Sequence, residues 1–315
     1  MAPTISVVIP TYGRPAMLSE AIASALAADD TDTEVVVVDD HPTISAAESK
    51  WCLEDERVRL VRSGPSSGGA AAKTVGARAA RGRILVFLDD DDLLCKDACS
   101  RIRAAYGENP AIDVLYLAVA CFGAGATEVE AAHNRATEAL LSRNATGASP
   151  GGVIFLGPGL AASLFETIPV SFQNFAVTSD CFGRLGSIKS EFLLWDNEWS
   201  IRAALECRVA FLPGPSYQWR LGDQNLFSRG ERELAQDEGV VAYLESLREH
   251  PRICASAKLR RELELALSNA LYHVARGHLR QGRAARGISA LIAAQRRAHV
   301  LRRWLTLGRT IIRES

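Results

Sequence analysis

Residues 83–94 have the sequence RILVFLDDDDLL, an apolar run that ends in four consecutive aspartates at 89–92. Four adjacent carboxylates raise one another's pKa, and they cannot all be buried without partners. A hard divalent cation relieves this repulsion, because it takes oxygen ligands and bridges carboxylates to phosphates. An acidic surface turn or a helix cap is the plainer alternative. The apolar run before the aspartates and the leucines after them favour a functional site, which we call the acidic motif (residues 89–92).

Two further apolar runs lie upstream, ISVVIP at 5–10 and EVVVVDD at 34–40. Each is short and rich in β-branched residues, which predicts a buried strand. Between them, residues 14–28 have apolar side chains at helical spacing, with Pro15 in the first turn. Continuous apolar strands separated by a helix predict a parallel sheet covered on both faces. Acids at the carboxyl ends of such strands face the crevice where α/β folds bind ligands.

The rest of the chain continues this alternation as far as about residue 213. Residues 63–82 begin as a glycine loop and end as an alanine-rich helix, and a Gly/Ala/Ser/Asn-rich stretch at 124–152 predicts an excursion or mobile loop. Pro213 is expected to end the last strand. We predict further strands at 83–88, 113–123, 151–157 and 208–213, a helix at 197–206, and helices from about 230 onward.

A strand that ends in two acids, here Asp39 and Asp40, also occurs in response-regulator receivers, where the acids hold a metal beside a phosphorylated aspartate. A receiver begins with that strand, whereas here a strand and a helix precede it. A later Thr/Ser strand end and a Lys-Pro turn have no convincing equivalents, and four adjacent acids would be a poor phosphoacceptor site because they repel an incoming anion. We therefore set the receiver hypothesis aside.

Composition predicts a folded protein of one or two domains, since the 315 residues are 48% hydrophobic and 23% charged. The seven cysteines form no C-x-x-C pair or zinc-like spacing, which favours reduced thiols in a cytoplasmic protein. We expect no signal peptide, because the N-terminus lacks a basic region followed by an apolar core. The sequence contains no run of 18 uninterrupted apolar residues, so we predict no membrane span.

The charge is distributed unevenly along the chain. Residues 251–315 contain 14 basic and 3 acidic side chains, a net charge of +11, so the remainder carries −12. Residues 299–313, HVLRRWLTLGRTIIR, mix Trp, Leu and Ile with Arg as an interfacial helix does. The basic segment could be a solvated helical face, pack on the body or on a second copy, or contact an anionic membrane. A nucleic-acid partner is disfavoured, because aromatic and basic residues do not alternate on strands.

Four stretches taken in order resemble the family 2 glycosyltransferases of the GT-A fold, and the resemblance covers roughly residues 5–225. It implies an α/β fold: a Rossmann-like domain that binds a nucleotide-diphosphate sugar, followed by a helical appendage. The implied catalytic domain is 1–228, with a donor half at about 1–125 and an acceptor half at about 150–228, and a basic α-helical region at 229–315. The stretches are ISVVIPTYGRPAMLSEAIASAL, EVVVVDD, GGAAAKTVGARAARGRILVFLDDDDLL and DNEWSIRAALECRVAFLPGPSYQWR.

The resemblance also implies roles on the donor side. A Mn²⁺ or Mg²⁺ ion would be held by Asp91 and Asp89. Asp39 would accept a hydrogen bond from an imide N–H, which favours uracil or thymine, whereas Asp40 is expected to be structural and His41 to lie at the pocket edge. The donor-binding residues carried over are Pro10, Thr11, Tyr12, Arg14, Asp39, Gly69, Lys73, Asp89, Asp90 and Arg220.

On the acceptor side, the family draws its catalytic base from an acidic pair before an arginine. Here the base is Asp196 or Glu198, and Trp195 occupies the place of the usual first acid. A helix N-terminal acid stabilised by the dipole is the structural alternative for both acids. Candidate acceptor contacts are Gln173, Asp180, Trp195 and Trp199, although Trp199 could equally be a core residue.

The function implied is metal-dependent inverting transfer of a sugar to a hydroxyl of a glycan or small molecule. The preferred donor is a UDP-sugar, and a dTDP-sugar is the second choice. A role in polysaccharide or glycoconjugate synthesis follows from the family alone. A sugar-nucleotidyltransferase and a non-catalytic nucleotide-sugar-binding protein stay open as alternatives. We expect a cytoplasmic location. Contact of the basic helices with the inner face of the cell membrane and homo-oligomerisation are both left open.

Overall fold

A computed structural model describes residues 4–28, 32–42, 55–64, 67–222 and 229–298. The chain divides into two compact units, one of residues 1–191 with 195–224 and one of residues 192–194 with 225–315. The strands, all in the first unit, are β1 (Ile5–Thr11), β2 (Thr33–Asp39), β3 (Val58–Arg62), β4 (Ile84–Phe87), β5 (Leu93–Leu94), β6 (Val114–Gly123), β7 (Ala145–Ala148), β8 (Ile154–Leu156), β9 (Phe175–Thr178) and β10 (Val209–Leu221).

The strands form one ten-stranded mixed sheet in the order β3-β2-β1-β4-β9-β6-β10-β8-β7, with β5 paired to β10. Strands β3, β2, β1 and β4 are parallel, as are β6 and β10. Strand β9 lies between β4 and β6 and is antiparallel to both. The carboxyl ends of β1, β2, β4, β6 and β10 therefore lie at one edge of the sheet, which we call the carboxyl edge.

Helices cover both faces of this sheet, as the continuous apolar strands predict. The helices of the unit are α1 (Pro15–Ala27), α2 (Gly69–Ala79), α3 (Ala98–Glu108), α4 (Ala126–Asn144), α5 (Leu160–Glu166), α6 (Ser179–Leu185) and α7 (Trp195–Glu206). Successive strand residues point to opposite faces. Val7 accordingly joins the core cluster that includes Leu18 of α1, while Val8 on the other face meets α2 at Gly76. The predicted α/β fold is confirmed.

The prediction of a loop at 124–152 is wrong, because α4 and β7 occupy most of this stretch. Helix α4 buries only Thr137, Leu140 and Asn144. With so narrow a buried stripe, its sequence lacks the apolar periodicity by which a helix is recognised.

The expected end of a strand at Pro213 is also wrong, since β10 continues to Leu221. The pairing with β6 shifts register between Leu212 and Pro215 and again before Tyr217, which accommodates the prolines in bulges. Arg101 of α3 donates to the carbonyls of residues 213, 214 and 215 and satisfies the backbone groups that the bulges leave unpaired.

The second unit is helical over its described residues, which confirms the predicted helical appendage. Its helices are α8 (Arg229–Ser246), α9 (Pro251–Ala255), α10 (Ala257–Arg280) and α11 (Ala284–Arg297). Arg297 at the end of α11 pairs with Glu245 at 2.6 Å and with Glu264 at 3.1 Å, and so ties three helices together. The expected interfacial helix at 299–313 lies outside the described residues. None of the helices described is both long and apolar enough to cross a membrane.

Gly76 allows α2 to approach the sheet closely. A Cβ at this position would lie 2.3 Å from Cγ1 of Val8 and 2.7 Å from Cγ2 of Val38. We expect Gly76→Ala to lower the free energy of unfolding by about 1–3 kcal/mol, because the packed core must shift to admit the methyl group. Urea denaturation measures this change.

The matched control is Gly107→Ala in α3, where an added Cβ meets nothing within 4 Å. This substitution should leave stability unchanged or raise it by up to about 1 kcal/mol, because alanine is the better helix former. Equal effects of the two substitutions would contradict the packing argument.

Candidate active site

The loops that follow β1, β2 and β4 converge at the carboxyl edge. Thr11 and Asp39, the last residues of β1 and β2, are register partners, and the acidic motif begins two residues after β4. A cavity of about 180 Å³ opens here. The structure brings seven of the predicted donor residues to its wall: Pro10, Thr11, Tyr12, Arg14, Gly69, Asp89 and Asp90.

Asp90 is the inner anchor of the acidic motif, with only 1% of its surface exposed. It accepts a hydrogen bond from the Thr11 hydroxyl at 2.6 Å, and the Arg14 guanidinium contacts both of its carboxylate oxygens. Burial raises the pKa of Asp90, although these hydrogen bonds and the charge of Arg14 act in the opposite direction. Because both oxygens are engaged by protein groups, Asp90 positions the motif, and its predicted contact with the donor stays a prediction.

Asp89 and Asp91, in contrast, face outward, with side-chain exposures of 44% and 36%. The Lys73 ammonium lies 2.7 Å from Asp89, and Nη1 of Arg14 lies 2.5 Å from Asp91. Each outward carboxylate of the motif is thus neutralised by one cation of the chain.

Asp92 is a second buried anchor, and it ties the motif to β10. It accepts hydrogen bonds from the Tyr217 hydroxyl and from the backbone N–H of Arg220, both at 2.8 Å. Desolvation and the nearby charge of Asp89 raise the pKa of Asp92 to about 7. Tyr217 was missed in the sequence, since a tyrosine within a strand carries no signal that distinguishes it from a core residue.

Arg220 also lies behind the motif. Its Nε donates to the backbone carbonyl of Asp91 at 2.6 Å and its Nη2 to Glu20 of α1 at 2.6 Å, while its guanidinium lies 4.5 Å from the centre of the Phe122 ring. These contacts hold the backbone of the motif in place. The structure therefore describes Arg220 as a support for the acidic motif, and its expected contact with diphosphate stays a prediction.

The loop after β2 forms the other end of the cavity. Tyr12 is 51% exposed, and its ring centroid lies 4.5 Å from that of His41. Asp39, 1% exposed, accepts from the backbone N–H of His41 at 3.2 Å and lies 3.6 Å from Arg62. Tyr12 and His41 thus form an aromatic pair next to the buried Asp39 carboxylate.

Asp40 holds the glycine loop that precedes α2, as expected of a structural residue. Its carboxylate accepts from the Ser63 hydroxyl at 2.5 Å, from the Ser67 hydroxyl at 2.6 Å and from the backbone N–H groups of Ser67 and Gly68 at 2.9 and 2.8 Å. Although burial acts to raise it, these hydrogen bonds hold the pKa of Asp40 below its ordinary value. Gly68 has φ +83°, a conformation that glycine adopts without strain.

Lys73 connects the acidic motif to α7. Besides its contact with Asp89, the ammonium lies 4.3 Å from the centre of the Trp195 ring, a cation–π arrangement. Trp195 is the first residue of α7 and Asp196 the second. Trp195, which occupies the position of the family's usual first acid, thus packs against the Lys73 ammonium beside the acidic motif.

Asp196 and Glu198 occupy different environments. Asp196 is partly exposed. Desolvation by the surrounding protein raises the pKa of Asp196, while the Asn197 N–H and the charge of Lys73 oppose the rise and Asp89 adds to it. Glu198 is fully buried, pairs with Arg202 through both oxygens at 3.0 Å and contacts Lys189 at 3.0 Å. Glu198 is therefore a structural ion-pair residue, and the prediction of it as a base is not supported.

Two of the acceptor candidates are misplaced. Trp199 is fully buried and stacks on Phe175 with ring centroids 3.8 Å apart, so it is a core residue. Asp180 is exposed in α6, directly after β9. Because β9 runs antiparallel to β4, with Thr178 opposite Ile84, Asp180 lies at the far edge of the sheet.

Gln173 is placed differently, since it comes just before β9 and so lies toward the carboxyl edge. Its amide Nε2 donates to the Asn197 side chain at 2.8 Å, directly beside Asp196 in the sequence. Of the four acceptor candidates, Gln173 and Trp195 remain near the candidate base.

The donor set of the motif is compatible with a divalent cation. Asp89 and Asp91 offer hard oxygen ligands at partly exposed positions. In the part of the chain that is described, no group of three His, Cys, Asp or Glu side chains is arranged to hold a metal ion. Ions such as Mg²⁺ are commonly held by one or two carboxylates together with substrate phosphates. The two residues thus fit a cation that completes its coordination with a diphosphate and water, and not an all-protein cage.

The site at the carboxyl edge thus combines anchored aspartates after β4, an aromatic pair after β1 and β2, and a carboxyl at the start of α7. The model of the family described as glycosyl transferase family 2 matches residues 6–162. The chain belongs to this family through that domain.

Curated relatives match somewhat more than a third of the chain. An uncharacterized glycosyltransferase of Haemophilus influenzae is 28% identical over 120 residues, which are 37% of this chain and 39% of the relative. The succinoglycan biosynthesis protein ExoO of Rhizobium meliloti is 36% identical over 116 residues, or 36% of this chain and 33% of the relative. The chain thus spans well under half of the length of these relatives.

Solved structures match nearly the whole chain at low identity. The mannosyltransferase PcManGT from Pyrobaculum calidifontis, in complex with GDP-Man and Mn²⁺, has a TM-score of 0.58 at 18% identity, over 99% of this chain and 80% of that one. Residues 1–349 of S. aureus TarS, in complex with UDP-GlcNAc, have a TM-score of 0.56 at 16% identity, over 94% and 92%. These likenesses establish the shared GT-A fold.

Asp40 provides a test of how the glycine loop is held. We expect Asp40→Asn to lower the free energy of unfolding at pH 7 by about 1.5–3 kcal/mol, because hydrogen bonds to a charged acceptor are lost. The pKa of Asp40 is lower in the folded protein than in the unfolded chain. Its contribution to the free energy of unfolding is therefore complete above the unfolded pKa of ~3.9 and is lost as the pH falls through the folded pKa. The difference between the two proteins should be constant from about pH 8 to 5 and should shrink below about pH 4, as measured by urea denaturation.

Asp97→Asn is the control, because the Asp97 side chain is 63% exposed and lies 3.8 Å from Arg101. An exposed pair of this kind contributes less than about 1 kcal/mol. An Asp40→Asn effect no larger than this, or one that persists at low pH, contradicts the assigned role of Asp40.

Proposed function

We propose that this protein is a metal-dependent inverting glycosyltransferase that transfers a sugar from a nucleotide-diphosphate donor to an acceptor hydroxyl. The observation that carries the proposal is the link through Lys73. This residue contacts Asp89 of the acidic motif and the ring of Trp195, which precedes Asp196. The acidic motif, proposed to bind the diphosphate, and the Asp196 carboxyl, whose pKa is raised, therefore lie on either side of Lys73. Transfer between a donor and an acceptor requires two such sites next to each other.

The donor nucleotide binds with its base against the exposed Tyr12 ring, beside His41, and its diphosphate toward the acidic motif. The Asp39 carboxylate accepts from the imide N–H of uracil, so UDP-sugar is the proposed donor and a dTDP-sugar the second choice. Guanine also presents N–H donors, and the solved relative in complex with GDP-Man makes GDP a necessary comparison.

A divalent cation, Mn²⁺ or Mg²⁺, is proposed to bind at Asp91 and Asp89. When bound, it would stabilise the negative charge that develops on the departing nucleoside diphosphate. Lys73 and Arg14, which now pair with these carboxylates, lie where they can turn to diphosphate oxygens. Asp90 and Asp92 keep the outward pair in position throughout.

Asp196 is proposed as the base that removes the proton of the acceptor hydroxyl. Its raised pKa makes it a better proton acceptor at neutral pH than an ordinary aspartate. Its place in the first turn of α7 fixes its orientation, and Asn197 donates a backbone N–H to its carboxylate at 2.9 Å. Gln173 and the exposed part of Trp195 are the proposed contacts of the acceptor.

A glycan in polysaccharide or glycoconjugate synthesis is the proposed acceptor, which the resemblance to the succinoglycan biosynthesis protein supports. A cytoplasmic location and peripheral contact of the basic helices with the inner face of the membrane are part of the proposal. They rest on the charge of +11 over residues 251–315.

Asp196→Asn compared with Glu198→Gln tests the proposal. With a panel of UDP-, dTDP- and GDP-sugars and Mn²⁺, we expect the wild type to consume one donor. Asp196→Asn should lower kcat by about 10²–10⁴-fold with unchanged nucleotide affinity, because a general base contributes that much. Nucleotide release in single-turnover and steady-state assays provides the measurement.

Glu198→Gln is the matched control, because it removes a charge of the same type from the same helix. It should destabilise the fold by about 3–5 kcal/mol, since Arg202 loses its buried partner. Its kcat should stay within a few-fold of wild type at a temperature where it is folded. Loss of turnover in Glu198→Gln with retention in Asp196→Asn contradicts the assignment, and nucleotide binding without any turnover in the wild type supports a non-catalytic binding protein instead.

A further inference from the structure

Two cysteines meet at the edge of the sheet opposite the donor site. Cys181 lies in the first turn of α6, and Cys207 follows α7 directly, 26 positions later. Their sulfur atoms are 3.1 Å apart, and either thiol can donate to the other. A disulfide bond is about 2.05 Å long, so the two sulfurs need to approach by roughly 1 Å to be joined.

The two thiols differ in access. Cys181 is fully buried, and Cys207 is partly exposed. A reagent in solution therefore reaches Cys207 first, while Cys181 lies behind it at contact distance. This is the arrangement of an attacking and a resolving cysteine.

The surroundings also separate the reactivities of the two thiols. The hydrogen bond from Cys181 holds the pKa of Cys207 below its ordinary value, against the effect of burial and of the Asp113 charge, and Arg184 adds to the lowering. The same hydrogen bond raises the pKa of Cys181, together with burial. Thiolate character thus concentrates on the more exposed sulfur, and the thiolate is the nucleophilic form of cysteine.

We propose that Cys181 and Cys207 form a thiol modification site at which a hydroperoxide generates an intramolecular disulfide. The Cys207 thiolate attacks an oxygen of hydrogen peroxide, the O–O bond breaks, and Cys207 becomes a sulfenic acid. The departing hydroxide takes up the proton that the Cys207 thiol lost on ionisation and leaves as one water. Cys181 then attacks the Cys207 sulfur, an S–S bond forms, and hydroxide leaves and takes the Cys181 proton as a second water. Two thiols are oxidised by two electrons while one hydrogen peroxide is reduced to two waters.

The crosslink joins α6 to the end of the helix that begins at Trp195 and carries Asp196. It closes a loop that spans the loop after α6 and the whole of α7. Disulfides stabilise mainly by restricting the unfolded chain. The oxidised protein should therefore have a larger free energy of unfolding. The residues of the donor pocket at the carboxyl edge should keep their arrangement.

The test uses the full chain carrying Cys254→Ser, because Cys254 is exposed and would form intermolecular disulfides. The protein is treated with one equivalent of hydrogen peroxide, and the remaining thiols are alkylated with N-ethylmaleimide. Intact mass and peptide mapping are measured without reductant. We expect two fewer alkylated thiols, a linked peptide pair containing residues 181 and 207, reversal by dithiothreitol, and a rise in Tm of about 5 °C on oxidation.

Cys207→Ser should abolish the linked pair, and Cys95→Ser should leave it unchanged, since Cys95 lies beside Gln218 at 3.6 Å in another part of the fold. Because Cys181 is fully buried, Cys181→Ser is interpreted only together with its circular dichroism spectrum. Cys207 recovered as a sulfinic acid without a crosslink, or a disulfide that involves any other cysteine in place of the 181–207 pair, would each overturn the proposal.

Discussion

The ion pair between Arg14 and the buried carboxylate of Asp90 fixes the geometry on which the rest of the site depends. It joins the loop after β1 to the acidic motif after β4, and Thr11 adds a hydrogen bond to the same carboxylate. Asp90 is 1% exposed, so loss of Arg14 would leave a buried carboxylate without its cation, at a cost of about 3–5 kcal/mol. The remaining guanidinium nitrogen of Arg14 reaches Asp91, and the anchor thereby also orients an outward carboxylate.

The four consecutive aspartates alternate in direction, so that only two of their carboxylates are buried, although the charge of Asp89 still raises the pKa of Asp92. Asp90 and Asp92 point inward and are satisfied by Thr11, Arg14 and β10, whereas Asp89 and Asp91 point outward and are paired with Lys73 and Arg14. The alternation leaves two oxygen donors at one surface without four buried charges in contact. It also joins the donor half to α7, because Lys73 touches both Asp89 and the ring of Trp195. The proposed sites for the metal, the diphosphate and the acceptor base thus depend on one connected set of charged contacts.

The sequence predicted the parts of the fold that continuous apolar runs specify, and it failed where tertiary contacts decide. Strands β1, β2 and β4 followed from the apolar pattern, and the family resemblance picked out seven residues that the structure brings to one cavity wall. Helix α4 was missed because it buries too few side chains to give its sequence an apolar periodicity. Strand β10 continues past Pro213 because β-bulges accommodate the prolines. The base could not be chosen between Asp196 and Glu198, since only packing reveals which acid has a buried partner. Asp180 was misplaced because no local signal shows that β9 runs antiparallel.

Calorimetric titration of UDP, dTDP and GDP, with and without Mn²⁺, tests the central claim most directly. The account predicts that one nucleotide, UDP first, binds at least about tenfold more tightly when Mn²⁺ is present, because the ion links Asp89 and Asp91 to the diphosphate. In Asp91→Asn the metal dependence should disappear while the protein keeps its melting temperature. Binding that is unaffected by Mn²⁺, or the absence of binding of any nucleotide to the folded wild type, would contradict the account.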